Sequence, residues 1–314
     1  MNVSVTLASD GVATLHAPPQ AGSDSLSNKQ SLIESALKAS SEFPPGCPRK
    51  LQEAIRYSLL TPGKRLRPML VMLAAEACGG CAEAAVPAAC AVEMIHTYSL
   101  IHDDLPSMDD DDLRRGRPTL HKLFGEGIAI LAGDALLALA FEVMARDIRP
   151  AEVAAACCAT LAKAAGATAL VGGQVDDISQ EVTSGSRDLL DSIHNRKTGA
   201  LFLASLRMGA LVAGASDVQL QALHQFGSHL GLAFQITDDL LDHAGDRPAK
   251  QGKRRKGSDA GKLTFPNLIG VEQSRMEVAR LVRSACDALA PLGSHARSLK
   301  ALANFVSDRA ANSI

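Results

Sequence analysis

The chain has 314 residues and a formal net charge of -2, with 46% hydrophobic and 21% charged residues. That balance excludes a disordered chain and leaves ample sequence to bury a core. The near-neutral charge and 3% aromatics, with no Trp, exclude a surface built to grip or stack nucleic acid and argue against an aromatic-rich β-sandwich.

Residues 1–26 are rich in Ser, Gly, Ala and Pro and carry no helical stripe, which predicts a mobile tail. The absence of Arg there, with Asp10 and Asp24 present, argues against an Arg-rich transit peptide or a secretory leader. From Ser27 the pattern is helical nearly to the end. Leu51, Ile55 and Leu59 recur at the helical repeat, as do Val92, Ile95 and Ser99. Punctuation falls at Pro44-Pro45, Pro62-Gly63, Gly79-Gly80, Pro106, Gly116, Pro150, Gly172-Gly173, Gly214 and the stretch 245–261. Strand alternation is scarce, Ala and Leu dominate, and no composition shift marks a boundary. The expectation is one all-α domain over residues 27–314.

The most apolar stretch, residues 127–145, is interrupted by Gly133 and Asp134. It is predicted as a buried core helix with Asp134 a buried, hydrogen-bonded acid, and not as a transmembrane span. The seven cysteines are odd in number, and Cys78-Gly-Gly-Cys81 has no second metal pair. They read as buried thiols of a reducing, cytoplasmic protein.

Two acidic clusters carry the first chemical signal. In Asp103-Asp104-Leu-Pro106-Ser-Met-Asp109, a continuous helix would turn Asp109 about 240° from Asp103. Pro106 should break the helix and let Asp109 fold back. In Gln235-Ile-Thr-Asp238-Asp239-Leu-Leu-Asp242, Asp238 and Asp242 share one helix face while Asp239 is turned about 100° away. Converging carboxylates do not all stay ionised without a cation. Mg²⁺ suits them, because it takes hard oxygens and binds phosphate jointly with one or two carboxylates. Either cluster alone also reads as a solvated helix end.

Matching cations occur at Lys64-Arg65-Leu-Arg67 after the Pro62-Gly63 turn, at Arg114-Arg115, at Lys197-Thr198, and at Lys253 and Lys262 on either side of a loop. Arg grips phosphate bidentately and a helix start favours an anion. Together these groups suit ionisation of an allylic diphosphate, with the cation kept from water in an apolar cavity.

Five motifs in order then carry a resemblance: Gly-Lys-Arg-Leu-Arg-Pro (63–68), the first aspartate motif with Arg-Arg-Gly (103–116), Gly-Gly-Gln-Val-Asp-Asp (172–177), Lys-Thr-Gly-Ala-Leu (197–201) and Phe-Gln-Ile-Thr-Asp-Asp-Leu-Leu-Asp (234–242). The chain resembles the trans-isoprenyl diphosphate synthases, most closely the bacterial farnesyl diphosphate synthases, from about Leu51 to about Gly270. The resemblance implies an isoprenoid-synthase-type helical bundle around a central active-site cavity, usually a homodimer, condensing isopentenyl diphosphate head-to-tail with an allylic diphosphate. It implies that Asp103 and Asp109 ligate two Mg²⁺ ions and Asp238 a third, Mn²⁺ being the alternative, with Asp104, Asp239 and Asp242 in support. Arg114, Lys197, Gln235 and Lys253 would hold the allylic diphosphate, with Lys262 closing the same loop. Lys64, Arg67, His96 and Arg115 would hold isopentenyl diphosphate, although a helical histidine alone also reads as a packing residue. Thr198 and Gln235 would place oxygens near the carbocation, and Asp177 would organise the outer shell.

The spacing around Lys253 departs by one residue on each side, so Lys250, Arg254 or Lys256 stand as alternatives there. Tyr98, five residues before Asp103 and next to Ser99, would form the pocket floor about 7.5 Å down the helix. That favours a farnesyl product. Geranylgeranyl diphosphate synthase is the alternative, since Arg117 and its surroundings also resemble some of those enzymes. A class I terpene cyclase would not need the Lys64/Arg67 site and has an aromatic-rich pocket. A non-catalytic partner subunit would have lost motif Asp or Arg residues.

Overall fold

A computed structural model describes residues 23–179, 187–243 and 264–311. It is helical almost throughout. In chain order the helices are α1 (Ser23–Ser40), α2 (Arg49–Leu59), α3 (Leu66–Ala77), α4 (Val86–Asp103), α5 (Leu120–Phe124), α6 (Glu126–Asp147), α7 (Ala151–Ala165), α8 (Leu170–Ile178), α9 (Arg187–His194), α10 (Ala200–Val212), α11 (Asp217–His243), α12 (Phe265–Ile269), α13 (Val271–Ala288) and α14 (Arg297–Ala311). A hairpin of two-residue strands, β1 (Leu113–Arg114) and β2 (Arg117–Pro118), interrupts them after α4. Helix α1 begins at Ser23, earlier than the pattern from Ser27 suggests; the rest of the expected tail lies outside the described residues.

Helix α4 is the axis of the bundle. It packs against α6 on one side and α3 on the other, and α10 lies against α3 and α11. Met72 of α3, Met94 and Ile95 of α4, Phe202 of α10 and Phe226 of α11 are all fully buried between them. Each such side chain contributes about 1.5–3 kcal/mol relative to exposure. The helical repeats read from the sequence face this core: Ile55 and Leu59 of α2 are buried, as are Val92, Ile95 and Ser99 of α4. The packing therefore fixes the rotation of α4, and with it the direction of the acids at its end.

Two expectations about α6 need correction. The helix is only partly buried, with Ile130 and Leu131 exposed, and Asp134 lies on its exposed side rather than in the core. The cause is position: α4 packs most extensively on α6, α2, α5 and α7 add to it, and together they leave Asp134 uncovered. Among the described residues, three helical stretches (Glu83–Asp103, Glu126–Asp147 and Ala151–Ile178) are long and apolar enough to cross a bilayer. The first is the one most enclosed by the fold. All seven cysteines are free thiols.

Candidate active site

Helix α4 ends at Asp103, and Asp104 caps it. The Pro106 break acts as its position predicts. The Asp109 N–H donates to the Asp103 carbonyl at 2.8 Å, and the Asp110 N–H to the Leu105 carbonyl at 3.1 Å, with Asp110 at φ +52°. The chain thus folds straight back, and Asp109 returns beside Asp103. Burial pushes the Asp103 carboxyl up to about 6; Lys197 and Arg114 pull it down, while Asp109 and Asp104 push it further up.

Asp104 is buried and committed to Arg114. Both its oxygens accept from Arg114 Nε, at 2.7 and 2.9 Å, and Nη2 lies 2.5 Å from Oδ1. Arg114 sits on β1, immediately before a two-residue turn in which Arg115 (φ +54°) and Gly116 (φ +75°) are both left-handed. Positive φ at both central positions matches a type I′ turn. The turn sends the two arginines to different places. Arg114 goes to the acids. Arg115 reaches the 61–63 loop, its Nη1 donating to the Pro62 carbonyl at 3.4 Å and to the Thr61 carbonyl at 3.5 Å.

That contact depends on Gly63. A Cβ there would lie 2.9 Å from Arg115 Cζ, inside van der Waals contact. Arg115 is the end of a flexible side chain and would move aside at little cost. We expect Gly63→Ala to leave thermal stability nearly unchanged while weakening anion binding at Arg115 about fivefold or more. Calorimetric titration with isopentenyl diphosphate checks it, and unchanged affinity would remove Arg115 from the site.

The Lys64-Arg65-Leu-Arg67 run splits by position. Arg65 takes a left-handed φ of +45° at the start of α3 and turns inward, 2.7 Å from both Glu34 of α1 and Glu93 of α4. Lys64 stays exposed. Arg67 is half-buried, its guanidinium 5.3 Å from the Phe202 ring centre. Burial lowers its pKa to about 10, opposed by the charges of Glu93 and Asp238. His96 is held neutral, its pKa well below the usual value through burial and the positive charges of Arg67 and Arg115. The charges of Arg67 and Arg115 thus both reach His96, and a neutral imidazole can donate one hydrogen bond to an anion.

Lys197 and Thr198 lie in a π-helical turn, Asn195–Gly199, between α9 and α10. Such turns interrupt the regular ladder and recur at functional sites. Helix α8 supports it: a Cβ at Gly173 would sit 2.6 Å from the Lys197 backbone nitrogen, Lys197 Nζ lies 2.5 Å from Asp177 Oδ2, and Arg196 pairs with Asp176. Asp177 therefore faces a lysine, an outer-shell arrangement. Thr198 Oγ1 donates to Gln235 Oε1 at 3.0 Å, and Gln235 Nε2 donates to Asp239 Oδ1 at 3.2 Å. Asp239 is buried and also accepts from the Phe265 N–H at 3.1 Å. Burial pushes its carboxyl up to about 6. Asp238 is half-buried and Asp242 exposed on the same helix.

Tyr98 is buried one turn below Asp103, its ring edge-on to His102 at 5.7 Å between centres. The His102 ring nitrogen Nε2 lies 3.1 Å from the Ile130 carbonyl of α6. Ser99 Oγ donates to the His96 carbonyl at 2.9 Å and so is spent on its own helix. Lys253 and Lys262, and the alternatives Lys250, Arg254 and Lys256, lie outside the described residues.

The acids offer an oxygen-only donor set, and burial raises two of them, Asp103 and Asp239, to about 6. That environment suits a hard divalent cation. Among the described residues no three His, Cys, Asp or Glu side chains close on a single ion position. Sequence reasoning missed Glu34 and Glu93; the signal for Glu93 was an isolated acid on the apolar helix α4, and Glu34 on the polar helix α1 had none. It also missed the stacking of Arg117 on Tyr57, 4.1 Å from the ring centre.

Three comparisons bear on this arrangement. A family model described as polyprenyl synthetase matches residues 48–290. The chain is 47% identical over 292 residues to a heterodimeric geranylgeranyl pyrophosphate synthase large subunit 1, chloroplastic, from Arabidopsis thaliana, covering 90% of this chain and 77% of that protein. It is 43% identical over 289 residues to a dimethylallyltranstransferase from Fischerella ambigua, covering 91% and 83%. An apo crystal structure of an FPP/GFPP synthase from Zymomonas mobilis superposes with a TM-score of 0.80 at 36% identity, over 90% of this chain and 98% of that one.

Proposed function

The chain belongs to the polyprenyl synthetase family, with its all-α fold and prenyltransferase activity, and on that premise we propose that it condenses isopentenyl diphosphate with dimethylallyl and geranyl diphosphate to give farnesyl diphosphate. The observation that carries this reading is the gathering of cations at one acidic helix end. Arg114 pairs with Asp104, the charge of Lys197 acts on Asp103, and those of Arg67 and Arg115 act on His96 of the same helix.

In this reading Arg114, Lys197 and Gln235 bind the allylic diphosphate and hold its C–O bond toward the interior. Asp103, Asp109 and Asp238 would hold Mg²⁺, with Asp104 and Asp242 in support; when bound, the ions neutralise charge on the departing diphosphate. Thr198 and Gln235 line the position where allylic positive charge develops and offer oxygen lone pairs toward it. Lys64, Arg67, His96 and Arg115 hold isopentenyl diphosphate so that its double bond faces the allylic carbon. The C–O bond breaks, a C–C bond forms, and a proton leaves to the released diphosphate. The aliphatic helices exclude water from the cation.

Tyr98, buried below Asp103, supports the shorter product. The geranylgeranyl product is the second reading, favoured by the 47% identity to the Arabidopsis thaliana protein. A homodimer is supported by Ile130 and Leu131 of α6 and Val171, Val175 and Ile178 of α8, all exposed; a solution mass twice the 32.8 kDa chain checks it. A reducing, cytoplasmic setting is supported by the seven free thiols; disulfides in protein taken from its native cells would overturn it.

The purified protein incubated with Mg²⁺, isopentenyl diphosphate and each allylic primer in turn should form farnesyl diphosphate. Chelation should abolish the reaction. No condensation with any primer would reject the reading.

A further inference from the structure

Arg65, Arg67 and Arg115 crowd into one partly buried region, and like charges there repel. A single buried anion stands among them. Glu93 of α4 is 3% exposed and lies 2.7 Å from Arg65 Nη1. Three residues on, along the same side of α4, comes His96. We propose that Glu93 is a positioning residue for the isopentenyl diphosphate subsite, holding Arg65, and through it Lys64 and the first turn of α3 that bears Arg67, in their anion-binding arrangement. The inference rests on reading Lys64, Arg67, His96 and Arg115 as that subsite.

Three observations carry it. First, Arg65 is locked from three helices: Glu93 of α4 takes Nη1, Glu34 of α1 takes Nε at 2.7 Å and Nη2 at 3.1 Å, and the Leu59 carbonyl of α2 takes Nη2 at 2.9 Å. Its left-handed backbone sets the start of α3, so fixing this side chain fixes where Lys64 leaves the loop and Arg67 enters the pocket. Second, the Glu93 carboxylate is the foremost charge opposing the effect of burial on both Arg67 and Arg115, so it acts on both guanidiniums as well as on Arg65. Third, two carboxylates, Glu93 and Glu34, against the three guanidiniums of Arg65, Arg67 and Arg115 leave a net positive charge, so the anchor does not cancel the attraction for a diphosphate. Glu34 is different in kind. Its side chain is 37% exposed and its charge is screened by water.

Steady-state kinetics of Glu93→Gln, Glu93→Asp, Glu34→Gln and Arg67→Ala, with binding of isopentenyl diphosphate alone by calorimetry, test this. Glu93→Gln should raise the KM for isopentenyl diphosphate about tenfold and weaken its binding equally, with kcat and the allylic KM within about twofold. Glu93→Asp, which keeps the charge, should recover most of the loss, and Glu34→Gln should stay within about threefold. If Glu93→Gln fails to fold, a selective rise of a few-fold in Glu93→Asp carries the same meaning. The inference is overturned if Glu93→Gln leaves isopentenyl diphosphate affinity unchanged while Arg67→Ala weakens it, or if both substrates weaken equally. Unchanged affinity in Arg67→Ala would instead overturn the subsite reading itself, and this inference with it.

Discussion

Asp103→Asn is expected to lower turnover by about a thousandfold or more while the protein stays folded, the scale on which a group aimed at developing charge acts. Asp103 lies where the helix end, the fold-back of Asp109 and Lys197 meet, so no neighbour replaces its charge. The structural side of the same substitution has a definite sign. The Asp103 carboxyl is raised from 3.8 to about 6 in the folded protein. A raised acid is neutral in both states at low pH and costs stability once it must ionise in the fold. Its contribution is therefore fully present below about pH 4 and is lost as pH rises through 6. Asn has no such loss. Without metal, the variant should melt at or above the parent temperature at pH 8, and the advantage should vanish near pH 4. Thermal scans at the two pH values check the sign, and a variant less stable at pH 8 would mean that Asp103 is paired rather than crowded. Turnover near the parent value would remove it from the metal site.

Tyr98→Ala is expected to shift the product from fifteen carbons toward twenty or more. The ring is buried against His102, one turn below the acids, so its removal opens space along the line a growing chain would take from Asp103. Truncating a buried aromatic costs about 3–5 kcal/mol, so a lower melting temperature accompanies the change. Tyr98→Phe separates the two effects, since it keeps the ring and should keep the product. Chromatography of dephosphorylated products reads the outcome. An identical product distribution in Tyr98→Ala would end the role of this ring as a chain-length stop.

The supporting shell matters in both experiments because it differs around the two acidic motifs. Asp104 gives both oxygens to Arg114, and Asp239 divides its own between Gln235 and the Phe265 backbone. The second acid of each motif is thus buried and holds a neighbouring side chain, Arg114 or Gln235, while the first is only half-buried. Asp104→Asn should on this account act by loosening Arg114.

Much of this was legible in the chain because the relevant physics is local. The helical repeat through Leu51, Ile55 and Leu59 sets one face of α2 whatever it packs on. The Pro106 break decides that Asp109 turns back, since no helix carries through that ring. The residue types at 63–68, 103–116, 197–198 and 234–242 are enough to specify an anion-and-metal chemistry. Partner choice is not local, and only the tertiary structure decided it. Neighbouring arginines diverge at Arg65 and Arg67 because a left-handed residue turns one toward Glu34 and Glu93, on helices far away in sequence. Lys197 meets Asp177 because Gly173 lets α8 close onto the π-helical turn. Asp134 interrupts an apolar helix and reads as a core acid, yet it is exposed because α4, with α2, α5 and α7, packs on α6 and leaves it uncovered. Composition and motif fix what the side chains can do; which of them oppose one another follows from the packing of α4 against α3 and α6, where charge pairs form between residues that no sequence spacing relates.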